Sequence, residues 1–245
     1  MLLRRLRRPR AVSAADAHDA RPPLNVLHIG KTGGTALKHV LAENAEGSSY
    51  QLLFRGHDVT LADVPEGERF MFLIRDPLTR FVSAFNGRLR EDRPRYHYPW
   101  RDEERVAFAI FKTPDQLAVA LSSEDDELRA QAEAAMHGIG HVNTPYTFWF
   151  PSEAAFRARL DDVFFIGLQD RLDDDFESLK RKLGLSGDVR LPRDETVAHK
   201  TPTGFESQLS ETGRTNLVRW YAFDVAFVQL CRELAPRVNA APVTA

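Results

Sequence analysis

Residues 24–41 read Leu-Asn-Val-Leu-His-Ile-Gly-Lys-Thr-Gly-Gly-Thr-Ala-Leu-Lys-His-Val-Leu. The apolar residues at the start of this stretch indicate a short buried strand, and Leu37, Val40 and Leu41 recur at the spacing of a helix. The glycines between them allow a tight turn in which the backbone can approach a ligand closely. Such a turn presents the free N–H groups and positive dipole end of the helix to an anion, and Lys31 adds a mobile positive charge. We therefore predict an anion-binding loop in an α/β fold.

This loop differs from the P-loop of nucleoside triphosphatases, Gly-x-x-x-x-Gly-Lys-Ser/Thr. Here Lys31 precedes Gly33 and Gly34, and no Gly-Lys-Ser/Thr closes the loop at the start of the helix. A standard ATPase or GTPase therefore fits the sequence poorly. A Gly-Gly pair between a strand and a helix can also be a tight connection without a ligand, so the loop alone leaves both interpretations open.

A second strand–turn–helix unit follows. Residues 70–74 form the continuous apolar run typical of a central parallel strand, and Pro77 stands at the first position of the next helix. Residues 50–54 and 163–168 predict two further strands. The sequence therefore predicts a three-layer, P-loop-like α/β fold with a mainly parallel central sheet flanked by helices. In such a sheet the carboxyl ends of the strands face the ligand crevice.

We expect a single domain at residues 24–236, since 245 residues suffice for one well-buried core. A disordered basic tail at residues 1–23 is expected to precede it, and a frayed tail at residues 237–245 to follow the last strong helix, residues 214–234. Residues 90–150 change character and indicate a helical insertion or lid on the acceptor side. Their aromatic residues could stack on a sugar ring, but packing in the insertion's own core is the favoured interpretation.

The composition is that of a globular protein, with 43% hydrophobic residues and a net charge of −2. This charge predicts no general affinity for nucleic acid.

Cys231 is the only cysteine, which excludes an internal disulfide, and no carboxylate cluster indicates a metal site. No apolar run has the length of a membrane span, so we expect a cytoplasmic protein without an integral membrane segment. The Arg-rich start could instead lie at a membrane surface.

Residues 28–35 and 72–85, His-Ile-Gly-Lys-Thr-Gly-Gly-Thr and Phe-Leu-Ile-Arg-Asp-Pro-Leu-Thr-Arg-Phe-Val-Ser-Ala-Phe, together resemble the two signatures of sulfotransferases that use 3′-phosphoadenosine 5′-phosphosulfate (PAPS). The likeness is closest to the carbohydrate-directed branch, which includes heparan sulfate 2-O- and chondroitin-type enzymes. It extends over residues 24–234 and is weakest across the insertion.

The resemblance implies a role for each residue that matches a signature. The loop that holds the 5′-phosphosulfate is matched by Lys31, Thr32, Gly33, Gly34 and Thr35, and the pair that grips the 3′-phosphate by Arg75 and Ser83. Lys31 would then stabilise charge on the leaving oxygen during a nearly in-line displacement, with no metal required. Lys200, in a basic loop before the last helix, is a candidate to close over the phosphoadenosine, the alternative being a surface lysine.

An acceptor hydroxyl also needs a base, and His57 is the candidate. Gly56-His57 resembles the Gly-His of uronyl 2-O-sulfotransferases, in which that histidine is the proposed base, and a pKa near neutrality suits this role. Asp58 could orient the imidazole; the alternative is a solvated loop histidine. His28 is expected to pack at the strand end, while His141 and His199 are further candidates.

We therefore expect a PAPS-dependent sulfotransferase. Its acceptor is expected to be a hydroxyl of a small molecule or a glycan, with a carbohydrate or a glycolipid as the favoured class. The alternatives are a nucleotide or small-molecule kinase, and a protein of the same fold that binds PAPS or a nucleotide without catalysis. The presence of Lys31 argues against the loss of transfer.

Overall fold

A computed structural model describes residues 19–94, 96–192 and 207–241. Within these ranges four strands form one sheet: β1 (Pro23–Val26), β2 (Gln51–Phe54), β3 (Arg69–Ile74) and β4 (Val163–Leu168). The strand order is β2–β1–β3–β4, and every pairing is parallel. The sheet is flanked by helices, which confirms the predicted α/β fold class.

The helices of the described residues are α1 (Gly34–Glu43), α2 (Pro77–Leu89), α3 (Asp102–Ile110), α4 (Pro114–Ala120), α5 (Asp126–Gly138), α6 (Glu153–Ala158), α7 (Leu172–Leu183), α8 (Glu211–Trp220) and α9 (Ala222–Ala240). No helix among them is both long enough and apolar enough to cross a membrane.

Strand β3 is buried on both faces, as its continuous apolar run predicts. Alternate side chains point to opposite faces of a strand. Phe72 and Ile74 pack with Phe150 and with α9 residues such as Phe227, whereas Met71 packs on the other face in a cluster with apolar residues of α1 and α7. The sheet therefore lies between two helical layers.

A third apolar cluster joins α2 to α3, α4, α5 and α8. Its contacts include the ring pair Phe85 and Phe108, whose centroids are 5.3 Å apart in an edge-to-face arrangement. The aromatic residues of segment 90–150 differ in burial: Tyr146 and Trp149 are core residues, whereas Phe148 is 45% exposed. Core packing therefore accounts for only some of these aromatics.

The C-terminal segment differs from the single helix predicted over residues 214–234. The helix is interrupted at Tyr221, which separates α8 from α9. The Tyr221 hydroxyl donates to the carbonyl oxygen of Val142 at 2.7 Å. Helix α9 then continues to Ala240, so residues 237–240 are helical where a frayed tail is expected. The Asn239 side chain pairs with both backbone groups of Ile166, at 3.0 and 2.9 Å. These bonds cover the open edge of β4, which holds the end of the helix in place.

The N-terminal tail is described only from residue 19. The Arg21 guanidinium donates to the carbonyl oxygens of Ala45 and Ser48, at 2.7 and 2.8 Å, which ties the chain down just before β1. Residues 1–18 and Lys200, a predicted ligand of the phosphoadenosine, lie outside the described residues, as does His199.

Candidate functional site

The loop between β1 and α1 leaves the N-terminus of the helix without a side-chain cap. Gly33 stands at the N-terminal cap of α1 with φ +89°, a left-handed conformation that favours glycine, and it has no side chain to satisfy the first N–H groups of the helix. Lys31 is also left-handed, with φ +66°. The Thr32 side chain is buried, and its hydroxyl donates to the carbonyl oxygen of Ile29 at 2.9 Å. Thr32 therefore braces the loop from within.

The ends of β1, β2 and β3 meet at one cavity of about 630 Å³. It is lined by nearly all of the predicted site residues that the structure describes: Lys31, Gly33, Gly34, Thr35, His57, Arg75 and Ser83. Thr32 does not line it. Two loops that are separate in sequence therefore contribute to the same space, as the parallel sheet predicts.

Arg75 connects the two loops directly. Its Nη1 donates to the carbonyl oxygen of Lys31 at 3.3 Å, and its Nε donates to the Thr79 hydroxyl at 3.1 Å. The buried Tyr146 hydroxyl donates to the Arg75 carbonyl at 2.7 Å and accepts from its N–H at 3.0 Å, which fixes the backbone. Burial lowers the pKa of Arg75 from its ordinary value, but a guanidinium stays charged in proteins.

The Lys31 ammonium belongs to a buried chain of alternating charges. Its Nζ lies 2.8 Å from Asp92 Oδ1, and the two side chains are only 8% and 7% exposed. Asp92 also accepts from Arg88 at 2.8 Å, and Arg88 makes two bonds of 2.7 Å to Glu104. Burial lowers the pKa of Lys31, and Asp92 opposes that effect. Burial alone would raise the pKa of Asp92, but Lys31 and Arg88 lower it to about 2.

Arg80 is a positioning residue that sequence reasoning missed. Its side chain is 3% exposed, and it donates to the carbonyl oxygens of Gly30 at 2.9 Å and Thr144 at 2.8 Å. The guanidinium lies over the Tyr146 ring, 4.8 Å from the centroid. A signal was present in the sequence, because Arg80 stands one turn before Ala84 on the apolar face of α2, where a charge needs a buried partner.

Three histidines lie side by side in the lining of the cavity. The His57 ring centroid is 3.9 Å from that of His28 and 5.7 Å from that of His141. Burial lowers the pKa of all three, to about 4 for His28 and about 3 for His141. For His57, a hydrogen bond to the His28 backbone opposes this effect. The rings are therefore neutral near pH 7.

A second cavity, of about 870 Å³, adjoins the first. The two cavities share His57, Asp92, Tyr98 and His141. His57 therefore lies where a molecule in one cavity would meet a molecule in the other. Sequence reasoning placed His57 here, but it left His141 as an outside candidate because no local pattern brings residue 141 to the ends of β1 and β2.

The described residues contain no cluster of three or more His, Cys, Asp or Glu that could hold a metal ion.

A family model described as "Sulfotransferase family" matches residues 19–227. No curated protein and no solved structure matches the chain significantly.

Proposed function

The chain belongs to the sulfotransferase family, and from that membership we propose that it transfers the sulfuryl group of PAPS to a hydroxyl of a carbohydrate or glycolipid. Membership supports sulfuryl transfer by an enzyme in general terms. The donor, the acceptor and the residue roles are our proposal. The observation that carries it is the single cavity lined by Lys31, Arg75 and Ser83.

The chemistry of this cavity fits PAPS, which has anionic groups at two separate positions. The α1 N-terminus and Lys31 offer N–H groups and positive charge for the 5′-phosphosulfate. Arg75, just after β3, and Ser83, on α2, offer a forked guanidinium and a hydroxyl for the 3′-phosphate. The volume of about 630 Å³ lies within the usual range for a site that binds a drug-sized ligand.

Lys31 is the proposed stabiliser of the leaving group. Bound PAPS supplies a sulfuryl group attached to a phosphate, which is a good leaving group. Charge develops on the leaving oxygen as the bond to sulfur breaks, and a fixed ammonium beside it stabilises that charge without reorganisation. One preorganised donor of this kind typically contributes about 3 kcal/mol to the transition state.

His57 is the proposed base. Its neutral imidazole, at the junction of the two cavities, can accept the proton of an acceptor hydroxyl and so raise the nucleophilicity of the oxygen. A hydrogen bond to the His28 backbone and the negative charge of Asp58 both raise the pKa of His57 against the effect of burial.

Binding of labelled PAPS and labelled ATP tests the donor. We expect retention of PAPS and of its product, 3′-phosphoadenosine 5′-phosphate (PAP), and weaker binding of PAP by Arg75→Ala. Retention of ATP but not of PAPS or PAP would contradict the proposal and favour a kinase. PAP binding without transfer to a broad panel of glycans and lipids would favour the non-catalytic alternative.

Lys31→Ala tests the mechanism, with Lys112→Ala as the matched control. Lys112 is exposed and lines neither the first cavity, which we propose as the donor cavity, nor the second. We expect Lys31→Ala to lower kcat about 100-fold, which corresponds to the loss of one preorganised donor. Lys112→Ala should retain the parent rate. A Lys31→Ala variant that transfers sulfate at the parent rate would refute the assigned role.

A further inference from the structure

We propose that the second cavity holds the acceptor and that this acceptor is an uncharged glycoside. The inference rests on the proposed function, because it takes His57 as the base that the acceptor must reach. It departs from the acceptors of the branch that the sequence resembles, since heparan sulfate and chondroitin chains are polyanions.

The second cavity is placed to deliver a hydroxyl to the donor. It contacts the donor cavity through His57 and His141, so a hydroxyl at that junction would face the proposed base. Its volume of about 870 Å³ leaves room for the remainder of a glycoside beyond the junction.

Both guanidinium groups of its wall already have partners within the protein. Among the described residues, the charged groups of the lining are Arg88, Arg101, Asp58, Asp92 and Glu104. The Arg88 guanidinium is engaged by Asp92, Glu104 and the carbonyl oxygen of Tyr98. Arg101 donates to the carbonyl oxygen of Gly138 at 2.7 Å and lies 3.5 Å from Glu104.

Lys31 neutralises Asp92 from the side of the first cavity, so the charges around this wall balance. A carboxylate or sulfate on an acceptor would therefore gain no net attraction, and to bind Arg88 it would have to draw that residue out of a buried network. Removing one partner from such a network leaves an uncompensated buried charge. The wall thus favours a neutral molecule over a polyanion.

The rest of the lining has the character of a sugar-binding surface. Phe148 and Tyr98 are 45% and 57% exposed, far more than the core aromatics beside them. Pro99 and Pro145 extend the apolar surface, and Thr147 adds a neutral hydroxyl. A flat ring covers the apolar face of a sugar, while neutral polar groups bond its hydroxyls.

A direct comparison of acceptors tests this inference. Octyl β-glucoside and lactosylceramide serve as neutral probes, and heparosan and chondroitin oligosaccharides as anionic ones, each incubated with PAPS and followed by mass spectrometry. We expect sulfate on the neutral probes. The acceptor KM should change by less than about twofold between about 0.05 M and about 0.5 M salt, because salt screens attraction between charges and has little effect on neutral contacts.

Preferential transfer to the anionic probes, or a KM that rises steeply with salt, would overturn the inference and leave the proposed function intact. Transfer to none of the four probes by a protein that binds PAP would also count against it. A failure to bind PAP or PAPS would instead contradict the proposed function.

Phe148→Ala supplies a second test, with Val218→Ala as the control. Phe148 is exposed, so its truncation should not prevent folding; Val218, on α8, is 43% exposed and does not line the cavity. We expect Phe148→Ala to lower kcat/KM for octyl β-glucoside about tenfold, through loss of apolar contact, with an unchanged Kd for PAP. Equal kcat/KM values for the two variants would contradict the proposed contact between Phe148 and the acceptor.

Discussion

Asp92→Asn is the perturbation that most directly tests how the fold controls Lys31. Lys31, Asp92, Arg88 and Glu104 form a buried chain in which two positive and two negative charges balance. The substitution keeps the shape of the side chain but removes one negative charge. Because Asp92 raises the pKa of Lys31 against the effect of burial, we expect this pKa to fall further in the variant.

The direction of the pH effect follows from the role of Lys31 as a cation. In the proposed mechanism the charged form of Lys31 stabilises the leaving group, so activity should be lost as pH rises through the pKa of Lys31. When that pKa falls, the alkaline limb of the kcat/KM profile moves to lower pH. kcat/KM is the appropriate quantity, since it reports the ionisation of the free enzyme.

The variant should remain folded. Breaking a buried ion pair by removing one partner costs about 3–5 kcal/mol, and we expect the lower end because Asn can still accept a hydrogen bond. That is less than the 5–15 kcal/mol typical of a folded domain. For a chain of this size, a loss of about 3 kcal/mol corresponds to a fall in Tm of about 10 °C.

The assay is the pH dependence of sulfate transfer from PAPS, measured below the Tm of the variant. Asp102→Asn is the matched control, because Asp102 is 91% exposed and pairs with Arg105 across one turn of α3. We expect the control to superimpose on the parent profile. The reasoning is refuted if the alkaline limb of Asp92→Asn stays in place, or moves to higher pH, while Lys31→Ala abolishes transfer.

Two further predictions concern groups around the same loop. A Cβ on Gly87 would lie 2.5 Å from Lys31 Nζ; Gly87→Ala should therefore displace the ammonium and lower kcat at least tenfold, while circular dichroism shows α2 intact because alanine favours helices. His28 and His141 have folded-state pKa values of about 4 and about 3, below the unfolded value of 6.5. The stability that comes from holding them neutral is complete above about pH 6.5 and is lost as pH falls toward 4, at up to about 1.4 kcal/mol per pH unit for each histidine. Urea unfolding at pH 7 and pH 5 should show a smaller loss for His141→Asn, in which Asn tolerates the left-handed backbone at this position (φ +63°). An equal loss in the parent and the variant would contradict this account.

The sheet and the two loops were predictable because their signals are local. The apolar runs of β1 and β3 and the glycines before α1 each determine structure within a few residues. The rule for parallel strand ends then brings Lys31 and Arg75 to the same edge without knowledge of any distant contact.

The partners of Lys31 were not predictable in this way. Asp92 is 61 residues away in sequence, and both Arg88 and Glu104 lie on helical segments where a charged residue usually indicates a solvated face. Only the packing of α3 against the end of α2 buries them. The break at Tyr221 was missed for a related reason, since Tyr221 fits the apolar periodicity on both sides and its bond to Val142 depends on the position of α5 and the loop after it.

The ion chain also connects the two cavities, which bears on acceptor choice and on catalysis together. Glu104 and Arg88 line the second cavity, while Asp92 lines both cavities and pairs with Lys31. An anionic acceptor that attracted Arg88 would weaken its contact with Asp92 and so disturb the chain of ion pairs that fixes the position of Lys31. A neutral acceptor leaves this balance undisturbed, so the arrangement that keeps Lys31 charged in a buried site also disfavours polyanions at the second cavity.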